Sequence, residues 1–266
     1  MKMAKMAFQA TVLRAGAERS LLVVVILATC LLGATPQATA ATDLLPNLQM
    51  APLRDVQLET RDDGRHLLRF SAIIVNVGAG PFELHGSRAP GDTDMGTVTQ
   101  RVYDTAGGSR AIATPATMFF AGDGHLHWHV RNLQYYELLP LDGQNTLGTG
   151  AKSGFCFFDG VVNDLTLPGA PQFPHFLQCG EADSLAVTMG TSVGWGDIYE
   201  WSLPDQWIDV TGLPPGRYRL RAAADPDNWF VEQNDADNDT WLDVYIGETT
   251  AYAFTAGSFL PFILAP

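Results

Sequence analysis

Three histidines stand at alternate positions in Gly124-His125-Leu126-His127-Trp128-His129, and half of the six histidines of the 266-residue chain fall in this stretch. Imidazole nitrogen is a good ligand for copper and for zinc, and spacing alone does not choose between them. On an extended strand, positions i, i+2 and i+4 face one way, so His125, His127 and His129 form a row. If the strand were straight, the outer two Cα atoms would be roughly 13 Å apart. One metal is shared by all three only if the strand twists or bulges. The plainer alternative is a row of solvent-facing histidines on an edge strand with no ligand.

A second chemical residue emerges once the start of the chain is read as a leader. Lys2, Lys5, Arg14 and Arg19 precede an apolar run from Leu21 to Leu32, and Ala38-Thr39-Ala40 has the small residues of a cleavage site. That order is the pattern of a secretory signal, and the run is too short to span a bilayer. The expected organisation is therefore a signal peptide over residues 1–40, one domain over 41–250 and an apolar C-terminal tail over 251–266. The product is expected to be secreted or periplasmic, with no stable membrane span after cleavage. Removing the leader takes away four basic residues and Glu18, leaving a net charge of −16. So acidic a surface is a poor partner for nucleic acid and a favourable one for cationic amines, most strongly at low salt. Solubility alone also accounts for the acidity. The same cleavage leaves Lys152 as the only lysine, every other cationic side chain being arginine. Drift toward arginine would produce this too.

Cys30 lies in the leader, so Cys156 and Cys179 remain. In an exported chain an even pair reads first as a disulfide; paired zinc ligands are the alternative, weakened by the absence of a Cys-x-x-Cys spacing.

The elements that must position these residues read as strands. Leu68 to Val77 is β-branched and aromatic and ends in the turn formers Gly78-Ala79-Gly80-Pro81. Arg217 to Ala222 alternates charge with apolar bulk, and Trp241 to Ile246 reads likewise as a strand. No long amphipathic helical pattern occurs, and the 26 glycines and 16 prolines punctuate the strands. The expected fold is all-β, an antiparallel β-sandwich. Leu141–Ala151 and Val161–Pro174 read as long surface loops flanking Cys156, the kind of segment on which sites are built.

At this point the chain resembles the lysyl oxidases, in its bacterial-type exported form. His125-Leu126-His127-Trp128-His129 is similar to that family's copper stretch, and Tyr135-Tyr136-Glu137-Leu138-Leu139 to the segment after it. Ala151-Lys152-Ser153-Gly154-Phe155-Cys156 resembles the block holding the cofactor lysine. Gly194-Trp195-Gly196-Asp197-Ile198-Tyr199, with Gln206-Trp207-Ile208-Asp209-Val210, resembles the block holding the cofactor tyrosine, and the similarity runs on through Pro215-Gly216-Arg217-Tyr218 to Asn238.

The resemblance implies Cu(II) on His125, His127 and His129, and a lysine tyrosylquinone made from Lys152 and Tyr199. It implies oxidation of primary amines, peptidyl lysine among them, by O₂ to aldehydes with release of hydrogen peroxide and ammonia. A chain with one lysine fits an enzyme that oxidises primary amines. Cys156 with Cys179 resembles one bridge of the animal enzymes, whose other cysteines and extra N-terminal regions have no counterpart here. Tyr135 stands where animal members have a histidine considered for the general base, so Asp197, Tyr135 and His175 are all candidates for that role.

Glu232, Asn234, Asp237 and Asn238 bring oxygen ligands together in a short span, as a Ca²⁺ site requires. The resemblance adds Asn47 and the backbone of Leu48 to the shell. Asp/Asn-rich turns also occur without metal. Two readings of other classes stay open. One is a secreted metal-binding β-sandwich without turnover, for copper handling or calcium-stabilised adhesion. The other is a zinc hydrolase using the same histidines, for which no carboxylate base stands beside the histidine stretch.

Overall fold

The computed structural model describes residues 40–121, 126–143, 145–152 and 154–254. The leader, His125 and the tail beyond Phe254 therefore lie outside the described residues. No helix forms among those described; the elements are strands, paired antiparallel into several sheets. The expected all-β class is thus observed.

The long strand His66–Asn76 covers the segment expected from its β-branched pattern. Its alternation splits it: Leu68, Phe70, Ala72 and Ile74 enter the main core, whereas Arg69 on the opposite face donates to Glu59 and to the carbonyls of Trp201 and Leu203. Trp195–Tyr199 and Trp207–Asp209 both pair with it, Tyr199 opposite Ala72 and Trp207 opposite Arg69. One strand therefore sets the register of both segments around the tyrosine, because a slip by one residue would turn every buried side chain outward.

Gln134–Pro140, Gly216–Ala224 and Asp239–Ile246 form a neighbouring sheet. Tyr218, Leu220 and Ala222 point into the core while the intervening arginines stay outside, Arg219 on Asp243 at 2.8 Å and Arg221 on Glu137 at 2.9 Å. The two sheets meet where Phe70 packs edge-on against Tyr136, ring centroids 5.0 Å apart. Ala251–Ala253 adds a last strand beside Asp239–Ile246, so the expected tail begins as part of this sheet.

A small third sheet joins Met118–Phe120, Trp128–Arg131 and Gly154–Phe155. It carries His129, and its last strand begins two residues after Lys152. Among their described residues the segments read as long loops are largely irregular, with Gly148–Thr149 and Val161–Val162 as short strands and Gly150 bridged to Ile208. No helix among the described residues is long and apolar enough to cross a membrane.

Candidate active site

The histidine stretch does not run as one straight strand. The strand starts at Trp128, and Leu126 takes a left-handed backbone with φ of 53°, so the chain turns just before it becomes extended. The described part of the stretch therefore departs from a flat row. His127 and His129 consequently lie with ring centroids 4.9 Å apart. His129 is buried and its ring meets Phe119 edge-on at 5.6 Å. Among the described residues no three His, Cys, Asp or Glu side chains converge as a metal-holding group, His125 lying outside them. The two imidazoles that are described lie side by side, and imidazole is a ligand type that copper and zinc both accept.

Lys152 is fixed by the backbone on both sides. Before it, Ala151 donates its N–H to Trp207 O at 3.0 Å and Gly150 donates to Tyr136 O at 2.9 Å, linking the segment to two sheets. After it, Gly154–Phe155 pairs with Val130–Arg131. Gly154 has no tolerance for a side chain, because a Cβ there would strike the Phe119 ring and the His129 Cβ. The disulfide between Cys156 and Cys179, Cα atoms 6.0 Å apart, holds the far end, and Trp128 N donates to Cys179 O at 3.0 Å. The two cysteines are therefore not zinc ligands. In the chain-entropy view this bridge is worth roughly 3 kcal/mol.

These anchors bring together groups 47 positions apart in the chain. Lys152 Nζ lies over the Tyr199 ring, 4.7 Å from its centroid, and both residues are buried. The Tyr199 hydroxyl accepts the Cys156 N–H at 3.0 Å and lies 3.5 Å from His129 Nε2. Phe155 stacks on the Tyr199 ring at 4.0 Å. Imidazole, phenol and amine are thus buried together, with the phenol oxygen on the side of His129 and the amine over the ring face.

Two buried carboxylates, Asp159 and Asp197, lie near one another in the surrounding core. Asp159 accepts from the backbone N–H of His175, Phe176 and Ser192 and from the Ser192 hydroxyl. Asp197 lies two residues before Tyr199 on one strand, hence on the same face. It is fully buried, and neither carboxyl oxygen makes a hydrogen bond among the described residues. Burial pushes its carboxyl well above the usual aspartate range; the Asp159 charge adds to that, while the Ile198 N–H and the Lys152 charge oppose it. The other two residues considered for a base differ. His175 contributes its backbone N–H to Asp159 and lays its ring on Phe176. Tyr135 is on the opposite face of its strand from the buried Tyr136.

Several of the residues expected for calcium are joined by hydrogen bonds, although among the described residues no three His, Cys, Asp or Glu side chains converge there as a metal-holding group. Glu232 accepts the Leu48 N–H at 2.5 Å and the Asn238 side-chain amide at 3.1 Å, and Asn47 Oδ1 accepts the Asn234 N–H at 3.1 Å. Asp237 accepts from the amides of Asn47 and Gln49. Burial pushes Glu232 up to about 8, with the nearby Asp225 and Asp235 charges adding to it. Asp237 Oδ1 and Asn238 Oδ1 are buried without a hydrogen bond.

Phe155, Phe119 and Asp159 were not legible as site residues. Phe155 sits in the lysine block, but nothing in its identity says that it stacks on a tyrosine 44 positions later. A buried Lys–Tyr–imidazole group on an all-β scaffold is the class of site that the structure defines.

Comparison with known proteins agrees with that class. The family model described as lysyl oxidase matches residues 99–255, more than half of the chain, and the chain belongs to the lysyl oxidase family. It is 32% identical to rat lysyl oxidase homolog 2 over 117 residues, 44% of this chain and 13% of that protein. It is similarly 31% identical to human lysyl oxidase homolog 2 over 117 residues, 44% of this chain and 13% of the relative. With pig protein-lysine 6-oxidase it shares 28% identity over 134 residues, 50% of this chain and 48% of the relative. The chain thus spans less than half the length of these relatives.

Proposed function

We propose that this protein is a copper-dependent amine oxidase whose organic cofactor, lysine tyrosylquinone, is made from Lys152 and Tyr199, and that it converts primary amines, peptidyl lysine among them, to aldehydes. The observation that carries the proposal is the approach of Lys152 Nζ to 4.7 Å from the Tyr199 ring centroid, inside a pocket shared with His129. Copper would be held by His127 and His129, with His125 as the third nitrogen donor, and would supply one-electron chemistry with dioxygen next to the phenol. The quinone would supply the electron sink for amine oxidation.

The chain's own residues account for the rest. Phe155 fixes the plane of the Tyr199 ring from one face, and the Cys156 N–H holds the phenol oxygen toward the imidazoles. Lys152 is kept within reach of the ring by the clamps at Gly150 and Ala151 on one side and the disulfide on the other. Exclusion of water favours a neutral amine nitrogen, the form that attacks a ring carbon. The bridge also fits an oxidising compartment, in keeping with a secreted or periplasmic protein and cleavage of residues 1–40.

Copper loading in air followed by amine addition should release hydrogen peroxide, and Lys152→Ala and Tyr199→Phe should abolish it. Release that survives both substitutions contradicts the proposal. The cluster of Glu232, Asn234, Asp237 and Asn238 with Asn47 and the Leu48 carbonyl would serve a structural calcium, the two orphaned oxygens being what a hard cation satisfies. That ion would fasten Leu48–Met50 to the Glu232–Asn238 turn.

A further inference from the structure

Phe119 stands directly opposite His129 in the pairing of Met118–Phe120 with Trp128–Arg131, and such a pair brings its side chains together on one face of the sheet. The Phe119 ring meets the His129 ring edge-on, centroids 5.6 Å apart, and carries the Arg131 guanidinium over its own face at 4.3 Å. Arg131 is two residues beyond His129 on one strand, hence on the same face, and Asp94 holds it at 2.8 Å. Gly154 is the partner of Arg131 on the next strand. A Cβ on Gly154 would fall 2.4 Å from Phe119 Cε1, 2.7 Å from Phe119 Cζ and 2.9 Å from the His129 Cβ. The Phe119 ring therefore lies across the middle strand of the small sheet and occupies the space that the missing Gly154 side chain leaves. One residue thus touches the imidazole strand, a cation held in place by a carboxylate, and the segment that begins two positions after Lys152.

We infer that Phe119 is a positioning residue for His129: seated on Gly154 and covered by Arg131, its ring fixes the angle of the imidazole and keeps Nε2 directed to the Tyr199 hydroxyl, 3.5 Å away. The inference rests on the copper reading above and assigns an orienting residue to it. The outer torsion of a histidine is broad, so the neighbours of the ring decide its plane. An edge-on aromatic contact is directional, because the positive edge of one ring prefers the negative face of another. The guanidinium on the Phe119 face fixes that ring in turn. Affinity and geometry at a metal depend on how its ligand rings are oriented, and neighbours that orient them matter beyond the ligands themselves. Phe119 acts through His129.

The experiment loads the full chain with Cu(II) and reads affinity by competition with a chromophoric chelator and copper geometry by electron paramagnetic resonance. The wild type is expected to give one Cu(II) signal with nitrogen hyperfine structure. Phe119→Leu keeps apolar bulk and removes the ring; it should bind Cu(II) on the order of tenfold more weakly and give a shifted or mixed signal. Phe119→Tyr keeps the ring and should restore both. A purely structural role would lower the urea midpoint of Phe119→Leu with signal and affinity unchanged, and that result overturns the inference while leaving the cofactor proposal standing. The expected Phe119→Leu changes, with no joining of the Lys152 and Tyr199 peptides in the copper-loaded wild type, support the inference and overturn the cofactor proposal. A wild type that takes up no Cu(II) overturns both. Should Phe119→Leu not fold, Arg131→Met is read in its place, since it removes a side chain that is 41% exposed. A shifted Cu(II) signal in that variant supports the inference, and an unchanged one overturns it.

Discussion

Asp159 and Asp197 are two buried carboxylates near enough for the charge of one to act on the other, yet they are built in opposite ways. Asp159 is wrapped by three backbone N–H groups and a serine hydroxyl, a set that ties the Phe157–Phe176 region to Ser192. Asp197 has none of these; among the described residues neither of its oxygens has a partner of good hydrogen-bond geometry, and the adjacent Ile198 N–H is the one backbone donor acting on it. A carboxylate with four donors stabilises a fold, because each charge-assisted bond is worth more than a neutral one. A carboxyl with no donor destabilises it whenever it ionises. The pairing shows which acid serves the fold and which one the fold carries at a cost, and the second sits beside the reacting groups.

The largest test of the contrast is removal of the wrapped acid. Asp159→Ala leaves buried donors unsatisfied and is expected to lower unfolding stability by about 4 kcal/mol in urea denaturation; a loss under about 1 kcal/mol would show that the wrapping is incidental. Next comes the bridge that closes the site. Replacing Cys156 and Cys179 together with serine should cost about 3 kcal/mol and slow cross-linking in the folded fraction, because the clamp beyond Lys152 is lost.

Asp197→Asn should behave in the opposite sense. The folded carboxyl is pushed up, so the unfolded chain releases its proton first as pH rises, and the wild type loses stability from the ordinary aspartate range upward toward the folded one. The variant lacks that slope. It should match the wild type in acid and exceed it by on the order of 2 kcal/mol at neutral pH, read as urea midpoints against pH. A variant less stable at neutral pH would mean that Asp197 is ionised and supported. The smallest expected effect lies away from the pair. Treatment with a chelator should lower the melting temperature by a few degrees and added Ca²⁺ should restore it, about 1 kcal/mol of binding linkage. Unchanged melting removes the calcium proposal.

The strand pattern was legible because alternation is local: Leu68 to Val77 and Arg217 to Ala222 announce their buried faces in their own residues. The Lys152 and Tyr199 blocks were legible by resemblance, and Lys152 also by its being the sole lysine after the leader. Their approach was implied by that resemblance and the disulfide by the even cysteine pair, but the contacts that produce the approach, Phe155 stacking and the Trp207 carbonyl, were not legible, because they join segments far apart in sequence. The histidine stretch was read as a strand, and the structure turns it at Leu126. A left-handed residue inside an alternating apolar and imidazole pattern leaves no mark in composition, because Leu does not ordinarily adopt that backbone. The difference between Asp159 and Asp197 was equally hidden: hydrogen-bond partners are a property of packing, and both residues simply read as aspartate.

The central claim is that folding delivers one amine to one phenol beside a copper site. The direct measurement is a mass spectrum of proteolytic peptides from the full chain after copper loading in air. The account predicts a covalently joined pair of peptides containing Lys152 and Tyr199, formed in the wild type and missing from Lys152→Ala and Tyr199→Phe. Recovery of both peptides separate and unmodified from the copper-loaded wild type would contradict it.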